Sequence, residues 1–217
     1  MRHLHRIMNL AAGLLILLGA TGARRTSIVD TPHNLSVSGR GAIRSTTESE
    51  ICIFCHSSHN ASPEGPLWNH VSTTPARFKT YARSTLGAGP EQPNGATKLC
   101  LSCHDGTIAV GAIRGLAAPV PMTNVGGGGE IPVGRKGHIG LDLSGTHPVS
   151  IKFEQKVALG RPNLRWPPFD PMNEVGLDAD GYVQCTSCHD PHGSRSDRYA
   201  FWRKETFSEV CGACHVY

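Results

Sequence analysis

The sequence predicts a mostly irregular fold, with short α-helices at four cysteine motifs, few short strands and an interior that ordinary side chains do not supply. Three observations lead there. The 217 residues include 25 glycines and 15 prolines but only 6% aromatics, so large core-forming side chains are scarce. All eight cysteines fall into one repeated pattern: Cys52-Ile-Phe-Cys55-His56, Cys100-Leu-Ser-Cys103-His104, Cys185-Thr-Ser-Cys188-His189 and Cys211-Gly-Ala-Cys214-His215. Long glycine- and proline-rich stretches separate these motifs and interrupt regular structure.

Taken in chain order, Arg2 and Arg6 precede an apolar run from Leu10 to Ala20 and the small residues Thr21, Gly22 and Ala23. This reads as an export signal over residues 1–23, removed near Ala23. The run is shorter than the ~20 residues a membrane span needs, and no other segment reaches that length. Residues 24–217 then form one domain, since the motifs are spread without a clear linker. A helix is expected near Ala96 to Gly115 and another near Phe207 to His215. Pro119 to Gly137 is expected to be loop, because Gly126 to Gly129 are four successive glycines and no Lys-Ser or Lys-Thr completes a phosphate-binding motif. Val149, Ile151 and Phe153 alternate with Ser150 and Lys152, which suits a short strand over Val149–Phe153. Arg161 to Pro171, with four prolines, is expected to be extended. Leu177 to Gly181 has calcium-like acidic spacing without the full twelve-residue ligand set, so a turn is the reading.

An exported chain ordinarily uses its cysteines in disulfides. Neither a disulfide framework nor a zinc ribbon requires a histidine directly after each cysteine pair, whereas C-x-x-C-H is the attachment signature of c-type haem. Two thiols add across the two vinyl groups of one porphyrin edge, and the adjacent histidine lies under the iron as an axial ligand. The four motifs therefore imply four haem c groups. They would be held covalently by Cys52, Cys55, Cys100, Cys103, Cys185, Cys188, Cys211 and Cys214, with His56, His104, His189 and His215 on the iron. Burying four large apolar plates supplies stabilisation at ~25 cal/mol per square ångström, so the haems make the core and the low aromatic content follows.

Four irons need four further ligands. His192 and His59 each follow a proximal histidine by three residues and lie on the same side of that ring. Each is therefore expected to serve a different haem from its neighbour's. His147 and His33 complete the expected distal set, while His70 and His138 read as surface or hydrogen-bonded side chains. Bis-histidine ligation does not require Met122 or Met172. Asp105 and Asp190, directly after proximal histidines, read as helix or turn residues rather than as groups that tune the iron.

The strings "ESEICIFCHSSHNASPEGPLWN", "KLCLSCHDGTIAVGAI", "HPVSI", "VQCTSCHDPHG" and "VCGACH" resemble the OmcE-type tetrahaem outer-surface cytochromes of metal-reducing bacteria. The likeness runs from about His33 to His215. It implies bis-histidine haems stacked in a continuous chain, extracellular filaments built from many copies, and one distal ligand donated across a subunit boundary. His33, in an N-terminal arm ahead of the first motif, fits that donor role.

An iron closed on both sides by imidazole has no open position for a substrate. Electron transfer is therefore the expected function, and the chain is not read as an enzyme. A soluble periplasmic shuttle is the alternative, followed by a multihaem reductase with one open iron acting on nitrite or hydroxylamine. The surplus of histidines and the lack of a C-x-x-C-K variant favour the conduit. The formal charge of +4 halves when Arg2 and Arg6 leave, and haem propionates turn it negative. Nothing points to nucleic acid, which would want a clustered basic face. Redox partner cytochromes or extracellular acceptors are the expected partners.

Overall fold

In the computed structural model the described residues are 26–72, 78–81, 92–196 and 201–217; the proposed signal segment, residues 1–23, lies outside them. Regular structure is sparse, as expected. Among the described residues the α-helices are Gly95–His104, Gln155–Leu159, Cys185–Cys188 and Phe207–Cys211, and the first motif begins in a 3-10 turn at Cys52–Phe54. The two strands, β1 (Ile151–Lys152) and β2 (Tyr182–Val183), pair antiparallel with Ile151 opposite Val183 and Lys152 opposite Tyr182.

The expected elements are shortened for local reasons. The helix expected over Ala96–Gly115 stops at His104. There the Asp105 carboxylate accepts from the Thr107 backbone N–H at 2.8 Å, and Gly106 takes φ +74, a conformation that glycine adopts without strain. The strand expected over Val149–Phe153 is two residues long, because Ser150 has φ +54. The Ser150 and Phe153 backbone N–H groups still bond to Val183 and Gly181 at 2.7 and 2.9 Å. The C-terminal helix ends at Cys211 rather than His215, after a capping box in which the Thr206 hydroxyl accepts from the Glu209 N–H. Both long loops are irregular, and a turn lies at residues 179–180.

Gln184 organises the centre. It is 2% exposed and caps the third motif helix. Its side-chain oxygen also accepts from the Thr97 N–H at 3.1 Å, supplying an acceptor to the open N-terminus of helix Gly95–His104. Its amide donates to Asn94 and to Asp178, both at 2.8 Å. In return the Cys185 N–H donates to the Thr97 hydroxyl at 3.2 Å. The second and third motif helices are thus pinned at their starts.

Apolar packing occurs in small clusters set against the motif cysteines. Phe54, Ile113 and Val120 pack with Leu35, Ile53, Cys55 and Met122. Val175, Val210 and Ala213 pack with Cys188, Trp202 and Cys214. Clusters of three buried residues are small for a chain of this length, which agrees with an interior completed by something other than side chains. Among the described residues no helix is long and apolar enough to cross a membrane.

Candidate haem-binding site

None of the eight cysteines is paired in a disulfide, and their neighbours reveal the order of the motifs in space. Burial first, then the charge of Cys103, pushes the Cys55 thiol up to about 12. Cys100 and Cys185 share a hydrogen bond that holds the Cys100 thiol far up and draws Cys185 down. Burial, then Cys214 and Cys211, pushes Cys188 up to about 11. The first motif therefore neighbours the second, the second the third, and the third the fourth. These sulfurs line the faces where neighbouring motifs meet.

The histidines form pairs. His56 and His192 have ring centroids 6.0 Å apart, His33 and His104 also 6.0 Å, and His147 and His215 6.2 Å. Each pair joins one motif histidine to a histidine from a distant part of the chain. Two imidazoles bound on opposite sides of one metal ion, each with a metal–nitrogen bond of about 2.0–2.1 Å, place their centroids about 6.3 Å apart. The residues present therefore fit a bis-histidine haem iron at three positions. The planes within these pairs differ: 21° for His56–His192, 53° for His33–His104 and 86° for His147–His215.

Backbone carbonyls orient the rings. Nδ1 of His56 donates to Pro66 O at 3.0 Å, that of His104 to Gly137 O at 2.6 Å, that of His33 to Pro191 O at 3.1 Å and that of His147 to Pro148 O at 3.0 Å. A ligand histidine ordinarily donates its second nitrogen in this way, which fixes the tautomer and leaves Nε2 for the metal. Gly137 has φ +95, which turns its carbonyl toward His104, while the His104 carbonyl accepts from Ile139 at 2.7 Å. His192 Nδ1 lies 3.5 Å from the Asp190 carboxylate, so Asp190, read from sequence as a turn residue, also touches a candidate ligand. Burial, then the charge of His104, pushes His33 down to about 4. Burial likewise lowers His104, and burial followed by His147 lowers His215. These rings stay neutral, the form that ligates metal.

The remaining histidines separate clearly. His70 is fully buried, with Nδ1 against Val71 O at 2.9 Å and Nε2 against Ala109 O at 3.2 Å, so both nitrogens are engaged by backbone. His138 donates Nδ1 to Ile131 O at 2.9 Å within its own loop. His189 meets the edge of Trp202 at 5.6 Å. His59 is exposed, and its described bonds are local, with its backbone N–H donating to the Ser57 hydroxyl at 3.2 Å. Among the described residues its ring faces no other histidine. The resemblance implies a donor role across a subunit boundary for His33, whose ring within one chain faces a motif histidine. Its arm is tied down where Thr26 N–H donates to Ser194 O at 2.8 Å, and its ring, stacked on Phe201 at 4.1 Å, faces His104 of the same chain. Phe201 and the carbonyls of Pro66, Pro191 and Gly137 carried no signal that sequence reading could use.

A family pattern described as the doubled CXXCH motif matches residues 179–217, the stretch that holds the third and fourth motifs. No curated protein matches the chain. The doubled motif is a signature of multihaem c-type cytochromes. It marks the chain as a haem-binding electron-transfer cytochrome whose haem c is covalently attached.

Proposed function

We propose that the chain carries four haem c groups, one at each motif, each closed by two histidines, and that it conducts electrons between them outside the cytoplasm as a polymer of identical subunits. The observation that carries this reading is the set of three histidine pairs at 6.0–6.2 Å. When bound, each haem supplies one-electron exchange at an iron with no open position for substrate, so the protein is not an enzyme. The chain's own residues hold the geometry. Carbonyls on Nδ1 fix the rings, and Gln184 pins the second and third motif helices with the Cys100 and Cys185 sulfurs side by side. The order of cysteine neighbours supports a single file from the first motif to the fourth, so that an electron passes between adjacent groups at every step.

Export rests on the leader-like residues 1–23. Polymerisation rests on the resemblance and on His59. Three of the four predicted distal histidines face a proximal ring within one chain, whereas His59 does not. In this reading His59, not His33, ligates a haem of a neighbouring copy. The test compares two variants by electron microscopy of sheared surface material and by absorption spectra. His59→Ala leaves four attached haems but yields short particles, while His33→Ala keeps long filaments and turns one iron high-spin. Long filaments from His59→Ala would remove the donor assignment. A wild-type protein whose mass lacks four haems would remove the four-haem reading, and one whose ferrous spectrum shifts with carbon monoxide, or whose ferric spectrum shifts with nitrite, would remove the conduit reading and favour the multihaem reductase with one open iron.

A further inference from the structure

The fourth motif differs from the first in two independent ways. Its axial rings, His147 and His215, stand 86° apart in plane, whereas His56 and His192 are 21° apart. Parallel imidazole planes split the iron dπ orbitals and favour the ferric state. Perpendicular planes leave those orbitals nearly degenerate and ruffle the macrocycle, one of the levers that sets a haem potential. The second difference is Arg165. Its backbone N–H donates to Cys214 O at 2.9 Å, and its Nε is buried with no hydrogen-bond acceptor among the described residues. Among the described residues no carboxylate lies within ion-pair distance of its guanidinium. That backbone bond to Cys214 holds Arg165 beside the fourth attachment motif. A fixed cation beside a haem disfavours the additional positive charge of ferric iron.

Resting on the four-haem reading above, we infer that the haem at Cys211 and Cys214 is the highest-potential group of the chain, and that Arg165 is a positioning residue that keeps it so. Electrons then collect at the C-terminal end of the file, and the subunit has a direction. Exposed aromatic and apolar side chains at that end, Phe169 and Tyr217 at 60% and 85% exposure, lie on or beside the segment that covers the fourth motif: Phe169 N–H donates to Ala213 O at 2.8 Å.

The experiment is a redox titration of the haem-loaded protein followed by electron paramagnetic resonance. Perpendicular ligand planes give a low-spin ferric signal with an unusually large maximum g value, which assigns the fourth haem without mutation. Loss of that signal in His147→Ala, with a high-spin signal in its place, confirms the assignment. The large-g signal is expected to disappear first on reduction. In Arg165→Gln it titrates at a lower potential with its line shape unchanged, while Arg165→Lys, which keeps the charge, titrates like the wild type. The inference is overturned if the large-g signal is reduced last, if Arg165→Gln leaves its potential unmoved, or if Arg165→Lys shifts it as far as Arg165→Gln. A protein mass short of the fourth haem would instead refute the four-haem reading, and this inference with it.

Discussion

Replacing Gln184 with leucine removes three hydrogen bonds while filling much of the same volume. The Thr97 N–H, in a residue with no solvent exposure, loses its acceptor, and a buried unsatisfied donor costs about 1–3 kcal/mol. Asn94 and Asp178 are half-buried and recover water in part, so each lost bond there costs about 1 kcal/mol. The expected destabilisation is about 3–5 kcal/mol. It falls on the start of helix Gly95–His104 and on Cys185–Cys188, where the second and third motifs meet. Guanidinium titration of the haem-loaded protein by far-ultraviolet circular dichroism measures the total. Amide exchange locates it, with faster exchange expected in Gly95–His104 and little change in Phe207–Cys211. Soret-region dichroism, which responds to coupling between neighbouring haems, should change as well. A loss below about 0.5 kcal/mol, the size of an ordinary surface substitution, or an equal loss of protection in both helices, would show that Gln184 does not pin the two motifs.

His192→Ala should leave His56 as the sole axial histidine at its iron, making about one quarter of the ferric iron high-spin, and added imidazole should restore the low-spin spectrum. Lys204 donates to Asp170 at 2.8 Å and to Glu174 at 2.9 Å, with its side chain only 10% exposed. Lys204→Met therefore leaves the buried Asp170 carboxylate without its cation, while Glu174 keeps Arg195, and should cost about 3 kcal/mol in a denaturant titration. Burial alone would raise the Asp170 carboxyl, but the Lys204 ammonium and three backbone N–H groups hold it at about 2. A depressed carboxyl contributes stability above its unfolded value of ~3.9 and loses it as the pH falls through the folded value. Stability should thus drop between about pH 4 and pH 2, and Asp170→Asn should flatten that drop.

The haem-attachment signature was legible in the sequence, because a thiol pair and its adjacent imidazole must lie within one turn of chain to meet one porphyrin edge, and the doubled motif over residues 179–217 agrees with it. The irregular fold was legible too, since glycine and proline act through local backbone conformation. Helix ends were less so: Gly106 and Ser150 take positive φ in response to neighbours such as Thr107 and Val183, and a propensity argument does not see those bonds. Which histidines face one another was legible only in part: His192 was expected to serve a haem other than that of His189, and it lies opposite His56, but the partners of His33 and His147 were not foreseen. His59 and His192 sit at the same offset from a motif histidine, yet only His192 lies opposite another motif's ring. His33 faces His104 because its arm is pinned to Ser194 and Pro191 far along the chain. By itself, then, the sequence determined the haem-attachment signature, through residues only a few positions apart. The tertiary structure decided which rings meet across each plane, because that depends on packing between segments whose separation along the chain carries no trace of it.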